Sequence, residues 1–150
     1  MQARLIHEAH GQRTFIAVLE TGDEIQACLG RFAEEHRLSA AQVTAIGAFE
    51  RATLRFFSWE TKEYEPIPVD EQVEVVSLNG DIALDTDDKP KLHLHAVLGR
   101  RDGSLIGGDL GDGKVRPTLE VVITESPTHL QRAKDPQSGL ALIRFGQAKR

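Results

Sequence analysis

The stretch Lys91-Leu-His-Leu-His-Ala-Val-Leu-Gly-Arg-Arg-Asp-Gly-Ser-Leu-Ile-Gly-Gly-Asp-Leu110 decides how the chain is read. Its first eight residues alternate. Side chains on a strand have period two, so Leu92, Leu94, Ala96 and Leu98 share one face, and His93, His95 and Val97 share the other. Arg101-Asp102-Gly103 is a turn signal. Taken as a three-residue loop, a type I turn with Gly103 in the left-handed position, it pairs Arg100 with Ser104. Counting back along both strands then sets His95 directly across from Asp109, with Cβ atoms about 5 Å apart on one face. His93 and His95 are about 7 Å apart at Cα. Gly107 and Gly111 fall opposite Val97 and His93 and leave room above the sheet. A two-residue loop would send Asp109 to the other face, so the argument turns on register. Two imidazoles and a carboxylate are a fitting donor set for zinc or another divalent ion. The same three groups could also satisfy one another by hydrogen bonding.

Outward from this hairpin, most of the chain reads as strand. Leu5–Glu8 and Arg13–Glu20 flank a turn at His10–Gln12, and the continuous apolar run Phe15–Leu19 suggests a strand buried on both faces. Gln42–Gly47, Arg51–Trp59, Tyr64–Val69, Val73–Leu78, Asp81–Leu84, Lys91–Gly99, Ser104–Leu110 and Thr118–Thr124 follow, separated by turn signals that include Asn79-Gly80. Gly107–Gly113 reads as a strand end and turn. Pro66 and Pro68 confine Tyr64–Val69 to a sheet edge or a covering loop. The tail carries a turn at Asp135–Gly139, a last strand at Leu140–Phe145 and a frayed end at Gln147–Arg150.

One helix interrupts the pattern, from about Asp23 to Arg37. Ile25, Cys28, Leu29, Phe32, Ala33 and His36 form a single helical stripe. Thr21 and Glu24 have capping-box spacing. Cys28 lies on the stripe and reads as a core residue, and His36 reads as a helix-end residue. The expectation is a single α+β domain, a large and mainly antiparallel sheet with one amphipathic helix packed on it.

Composition narrows the function. The chain has 150 residues, the size of one ordinary domain. A single cysteine rules out an intramolecular disulfide. Lys and Arg total 18 against 23 Asp and Glu, a net charge of −5 that argues against direct nucleic-acid binding. Arg4, His7, Glu8 and His10 break any signal-peptide core, and no apolar run approaches the roughly 20 residues of a membrane span. The chain therefore reads as cytoplasmic, with no membrane contact. There is no Gly-x-x-x-x-Gly-Lys-Ser/Thr loop and no Gly-x-Ser-x-Gly elbow. His129 reads as an exposed loop residue. Glu120 is a candidate acid or base. Arg116 and Arg100 are candidate holders of an anionic substrate.

The order of segments resembles the PPC (plant and prokaryote conserved) domain. The resemblance rests on Leu19-Glu-Thr-Gly-Asp-Glu-Ile25, Val43-Thr-Ala-Ile-Gly-Ala-Phe49 and Glu74-Val-Val-Ser-Leu-Asn-Gly-Asp-Ile82. It continues through Leu92-His-Leu-His-Ala96, Ile106-Gly-Gly-Asp-Leu110, Leu119-Glu-Val-Val-Ile123 and a tail of Leu130-Gln-Arg132 with Asp135-Pro-Gln-Ser-Gly-Leu140, covering about residues 10–145. It implies an α+β homotrimer associated with DNA-binding proteins. In plants the domain is joined to AT-hook segments and mediates self-association and partner binding. This chain has no Arg-Gly-Arg-Pro hook, so the resemblance implies DNA association through protein partners. Family members commonly read Gly-Gly-His-Leu where this chain reads Gly107-Gly108-Asp109-Leu110, so Asp109 stands where the family pattern suggests a third histidine. The wider fold group resembles acetolactate decarboxylase, whose zinc is held by a His-x-His pair and a later histidine. Two functional classes follow. One is a trimeric binding or regulatory module. The other is a metal-dependent lyase or hydrolase acting on a small carbonyl or carboxylate substrate, with His93, His95 and Asp109 as ligands.

Overall fold

The computed structural model describes residues 1–145. Strands β1 (Gln2–Ala9) and β2 (Gln12–Glu20) form a hairpin, followed by helix α1 (Ile25–Glu35). Strands β3 (Ala40–Ser58), β4 (Glu63–Val69), β5 (Val73–Leu84), β6 (Pro90–Gly99) and β7 (Leu105–Glu125) complete a seven-stranded sheet. A two-stranded tail, β8 (Arg132–Lys134) and β9 (Ala141–Ile143), closes the chain. Every pairing among the sheet strands is antiparallel. The mainly antiparallel α+β architecture is the one the sequence leads one to expect.

Two strands are much longer than their sequence suggests. Gln42–Gly47 and Arg51–Trp59 fuse into β3, and Ser104–Leu110 and Thr118–Thr124 fuse into β7 through the glycine-rich stretch expected to turn. Register shifts between Gly47 and Phe49, between Phe49 and Arg51, and between Thr53 and Leu54 let the pair bend without breaking. Bending brings the pairings full circle: β3 to β5, β5 to β6, β6 to the start of β7, and β7 back to β3 along most of its length. The inside of this circuit is filled by Val43, Phe49, Leu54, Leu78, Ile82, Leu94, Leu98, Leu110 and Leu119, all buried.

Asn79-Gly80 is not a turn. It sits inside β5, where Asn79 pairs with His95 and Gly80 with Leu94. Glycine is required there for closeness and not for a turn: a Cβ at Gly80 would lie 2.1 Å from the His93 carbonyl oxygen. Phe15–Leu19 is also only partly as expected. Phe15, Ala17 and Leu19 are buried, and Ile16 and Val18 between them are half-buried, so one face of β2 stays open to solvent.

The helix packs against β6 and β7 with Ile25, Cys28, Leu29, Phe32 and Ala33 inward. It starts two residues later than its spacing suggests, and the capping box is not made. The amide of Gly22 donates to the Val115 carbonyl and that of Val115 to the Asp23 carbonyl, each N···O about 3 Å. This pairing ties Gly22–Glu24 to β7 ahead of the helix, with Gly22 in a turn at φ 96°, and the Thr21 hydroxyl donates to the Pro117 carbonyl instead. At the other end Arg37, at φ 52°, and the Leu38 amide on the Ala33 carbonyl close the helix in a Schellman-type turn.

β4, with Pro66 and Pro68, pairs only with β3, at the sheet edge. The tail turn at Asp135–Gly139 forms, with the Asp135 carboxylate accepting from the Ser138 amide and hydroxyl. The final strand is shorter than expected, Ala141–Ile143. The expected frayed end at Gln147–Arg150 lies outside the described residues.

Candidate metal centre

The hairpin that joins β6 to β7 has the three-residue loop its sequence indicates. The Arg100 amide donates to the Ser104 carbonyl, and Gly103 is left-handed at φ 83°. Asp102 steadies the loop by accepting from both the Ser104 amide and hydroxyl. The register follows: His95 pairs with Asp109 and Val97 with Gly107. Leu94, Ala96 and Leu98 face the core, and His93 and His95 face the opposite side.

Gly111 does not sit opposite His93. The β6–β7 ladder ends at the His95–Asp109 pair, after which β7 runs on along β3. That same departure brings Arg55 of β3 into register with Asp109. Arg55 donates to Asp109 Oδ1 from Nε at 2.6 Å and Nη2 at 2.5 Å. The carboxylate is thereby fixed in place, although it is only 5% exposed. Its other oxygen, Oδ2, lies 3.5 Å from His93 Nε2. His93 Nε2 is 3.2 Å from His95 Nε2, with the two rings nearly perpendicular at 72°. One ligand atom from each of the three residues falls within 4.8 Å of the others.

The two separations from His93 Nε2, 3.2 Å to His95 and 3.5 Å to Asp109, suit a tetrahedral ion. Metal–ligand bonds of about 2.0–2.2 Å set neighbouring ligand atoms about 3.3–3.5 Å apart. Burial holds His93 below the ordinary imidazole range, and the neighbouring His95 and Arg132 push it the same way, against Asp109 and Asp81. A ligating histidine must be neutral, so this bias favours coordination. Arg55 orients the Asp109 carboxylate and balances its charge.

Beside His93 opens a cavity of about 250 Å³. Its walls come from β3 (Arg55), β4 (Tyr64), β6 (Lys91, Leu92, His93), β7 (Asp109), β8 (Arg132), Asp85 and Leu140–Leu142. The Arg55 guanidinium lies over the Tyr64 ring, 4.6 Å from its centroid. Arg132, 6% exposed, donates from Nη2 to Asp81 and from Nη1 to the Ala141 carbonyl at 3.4 Å. Its Nε is buried with no hydrogen-bond partner among the described residues.

The other candidates from the sequence lie elsewhere. Arg116 faces Glu50 at 3.9 Å, Arg100 pairs with Glu71 at 2.9 Å, and Glu120 is exposed beside Ile46 and Val76. His129 is exposed and hydrogen-bonds Ser39. Cys28 is buried, and desolvation raises its thiol above the ordinary range. Sequence reading missed Arg55, Tyr64 and Arg132. Arg132 belongs to the Leu130-Gln-Arg132 tail motif, which was the only signal for any of them.

With this geometry in view, the chain can be set beside known proteins. A family model described as the Plants and Prokaryotes Conserved (PCC) domain matches residues 6–127. The chain belongs to the PCC domain family. No curated protein matches this PCC protein. Solved structures do. A metal-containing protein from Archaeoglobus fulgidus is 34% identical at TM-score 0.81, over 88% of this chain and 93% of that one. A plant- and prokaryote-conserved protein from Pyrococcus horikoshii is 29% identical at TM-score 0.82, over 91% and 94%. A candidate DNA-binding protein from Bacteroides thetaiotaomicron is 28% identical at TM-score 0.83, over 93% and 95%. A more distant Staphylococcus aureus protein, described as similar to alpha-acetolactate decarboxylase, shares the fold alone. It is 13% identical at TM-score 0.53, over 77% of the PCC chain and 53% of its own.

Proposed function

We propose that this PCC protein is a single-domain, homotrimeric binding module built around a divalent-metal centre, with His93, His95 and Asp109 as ligands and zinc as the best-suited ion. The observation that carries the reading is the convergence of two imidazole nitrogens and one anchored carboxylate oxygen at coordination spacing. The metal-containing relative supports it. Asp109 in place of a third histidine keeps the site competent, because a carboxylate binds zinc at much the same bond length as imidazole.

The trimer is supported by an apolar strip on the sheet. Ile46, Val76 and Leu105 are 61%, 52% and 62% exposed, and Gly99 lies between Val76 and Leu105. Contiguous exposed apolar area of this kind marks an association surface. Two relatives are described as DNA-binding candidates. With a net charge of −5, this chain would act beside DNA through protein partners. No helix of the described residues is long and apolar enough to cross a membrane.

Elemental analysis of protein purified without chelator tests the centre. About one divalent ion per chain is expected, lost in Asp109→Ala and in His95→Ala, the latter an exposed position that leaves the fold intact. No metal in the wild-type protein would sink the proposal. For the trimer, a monomer in light scattering at micromolar concentration counts against it. A second reading, a metal-dependent lyase or hydrolase on a small carbonyl or carboxylate compound, is favoured by the cavity that opens directly onto His93. Turnover of short keto or hydroxy acids that disappears in His93→Ala would select it.

A further inference from the structure

The metal centre and the apolar strip lie on one outer face of the sheet. Directly paired residues of an antiparallel ladder share a face. Val122 pairs with Thr44, Thr44 with Asn79 and Asn79 with His95, so a single row runs from β7 across β3 and β5 to the exposed histidine. Two residues along, the next row holds Val18, Glu120 and Ile46. Val97 stands two residues from His95 on β6 and is exposed, as are Ile46, Val76 and Val122. The apolar face therefore reaches His95 itself.

Glu120 is the exception on this face. It is an exposed carboxylate between Val18 and Ile46, beside Val76, and it has no cationic partner among the described residues. A carboxylate covered by association loses its hydration and needs a cation in exchange. His93, His95 and Asp109 make three ligands, and tetrahedral zinc takes four. Through β3 and β5, Glu120 lies three strands from His95, roughly 14 Å at the usual strand spacing, too far to reach its own centre. A second copy brings the two together. Closure about a threefold axis is heterologous, so one patch meets a different patch of the next copy.

We propose that Glu120 of a neighbouring copy is the fourth ligand of the ion held by His93, His95 and Asp109, so that each centre is completed across a subunit boundary. The inference rests on both the metal-centre and the trimer readings. A centre with four protein ligands keeps no open position, which is the arrangement of a structural site and fits a binding module, not a lyase or hydrolase. It also ties assembly to the metal: zinc tightens the trimer, and trimerisation tightens zinc by the same factor.

Zinc affinity and sedimentation of the whole chain, zinc-loaded and chelator-stripped, test this. Zinc-loaded protein sediments as a trimer, and stripping it raises the concentration at which it dissociates by about tenfold or more. Glu120→Gln binds zinc about tenfold more weakly or worse, with its metal-free melt unchanged because the position is exposed. Co-expression decides whether the ligand comes from another copy. His95→Ala and Glu120→Gln are each zinc-deficient alone. A mixed trimer joins an intact His95 in one copy to an intact Glu120 in the next, and random mixing restores about a quarter of the wild-type zinc. No recovery in the mixed protein overturns the inference, and so does zinc bound at wild-type affinity by a monomer; the metal centre stands in both cases. Looser assembly in Glu120→Gln with zinc affinity unchanged also overturns it, the carboxylate then meeting a basic side chain. No zinc in wild-type protein sinks the metal centre and this inference together, and leaves the trimer to the sedimentation result alone.

Discussion

Replacing Gly80 with alanine puts one methyl group between β5 and β6, the strand that carries both histidines. The new Cβ would fall 2.1 Å from the His93 carbonyl oxygen, 2.8 Å from Leu94 Cδ2 and 2.9 Å from Leu94 Cα. Two of these three atoms are backbone, so no side-chain rotation relieves the contact. Restoring an ordinary 3.4 Å separation requires the His93 carbonyl to move by about 1.3 Å. A ladder hydrogen bond lengthened by that much is lost. One or two such bonds, at about 1 kcal/mol each, add to an overpacking cost of about 1–3 kcal/mol. Against this, alanine restricts the unfolded chain by about 0.4–1 kcal/mol. The net destabilisation is about 2–4 kcal/mol, which for a chain of this size lowers Tm by about 5–15 °C. Thermal melts of metal-free protein followed by circular dichroism measure it, and elemental analysis of the same variant should show less bound metal, because His93 moves with its carbonyl. A Tm within about 2 °C of wild type would refute the reasoning, since the strands would then have the slack that the geometry denies them.

Gly30→Ala should do the opposite: it lies inside α1, a Cβ there meets only Leu92 Cδ1 at 3.9 Å, and alanine's helix preference is worth about 0.5–1 kcal/mol. A Tm rise of about 1–4 °C is expected, and a fall would show that the space beside Leu92 is tighter than it looks. Metal-free protein should also lose stability on mild acidification. His93 is held below its ordinary 6.5 in the fold, so the unfolded chain binds its proton first. The corresponding stability is whole above pH 6.5 and drains away as pH falls from there through the lowered native value. Melts at pH 7.5 and 5.5 on wild type and His93→Gln check this, and an equal pH effect in both would rule His93 out as its source.

The parts of the site that were legible in the sequence were those fixed by local rules. The alternation in Lys91–Leu98 assigned faces, and Gly103 fixed the loop length, so the His95–Asp109 pairing could be counted out by hand. Arg55 and Arg132 obey no such rule. They arrive from strands 54 residues before Asp109 and 51 residues after Asp81, and only the curvature of β3 and the return of the tail bring them in. Local signals failed elsewhere for the same reason. Thr21 and Glu24 have the spacing of a capping box, but β7 claims the backbone of Gly22–Glu24 first and Pro117 takes the Thr21 hydroxyl. Asn79-Gly80 and the glycines of β7 have turn composition, yet they serve close strand approach and bending inside continuous strands. A glycine that permits a turn and a glycine that permits contact look identical until the neighbouring strand is known.

The dependence of the fold on β7 has a consequence for its birth on the ribosome. Strands β2, β3 and β6 all pair with β7, whose last residue is Glu125. Until that residue has cleared the exit tunnel the circuit cannot close, and the apolar inner faces of β3, β5 and β6 have nothing to shut against. Topologies whose closure waits on distant partners fold slowly and expose unpaired edges meanwhile. The nascent chain should therefore lean on chaperones until β7 has emerged, and snap shut only then.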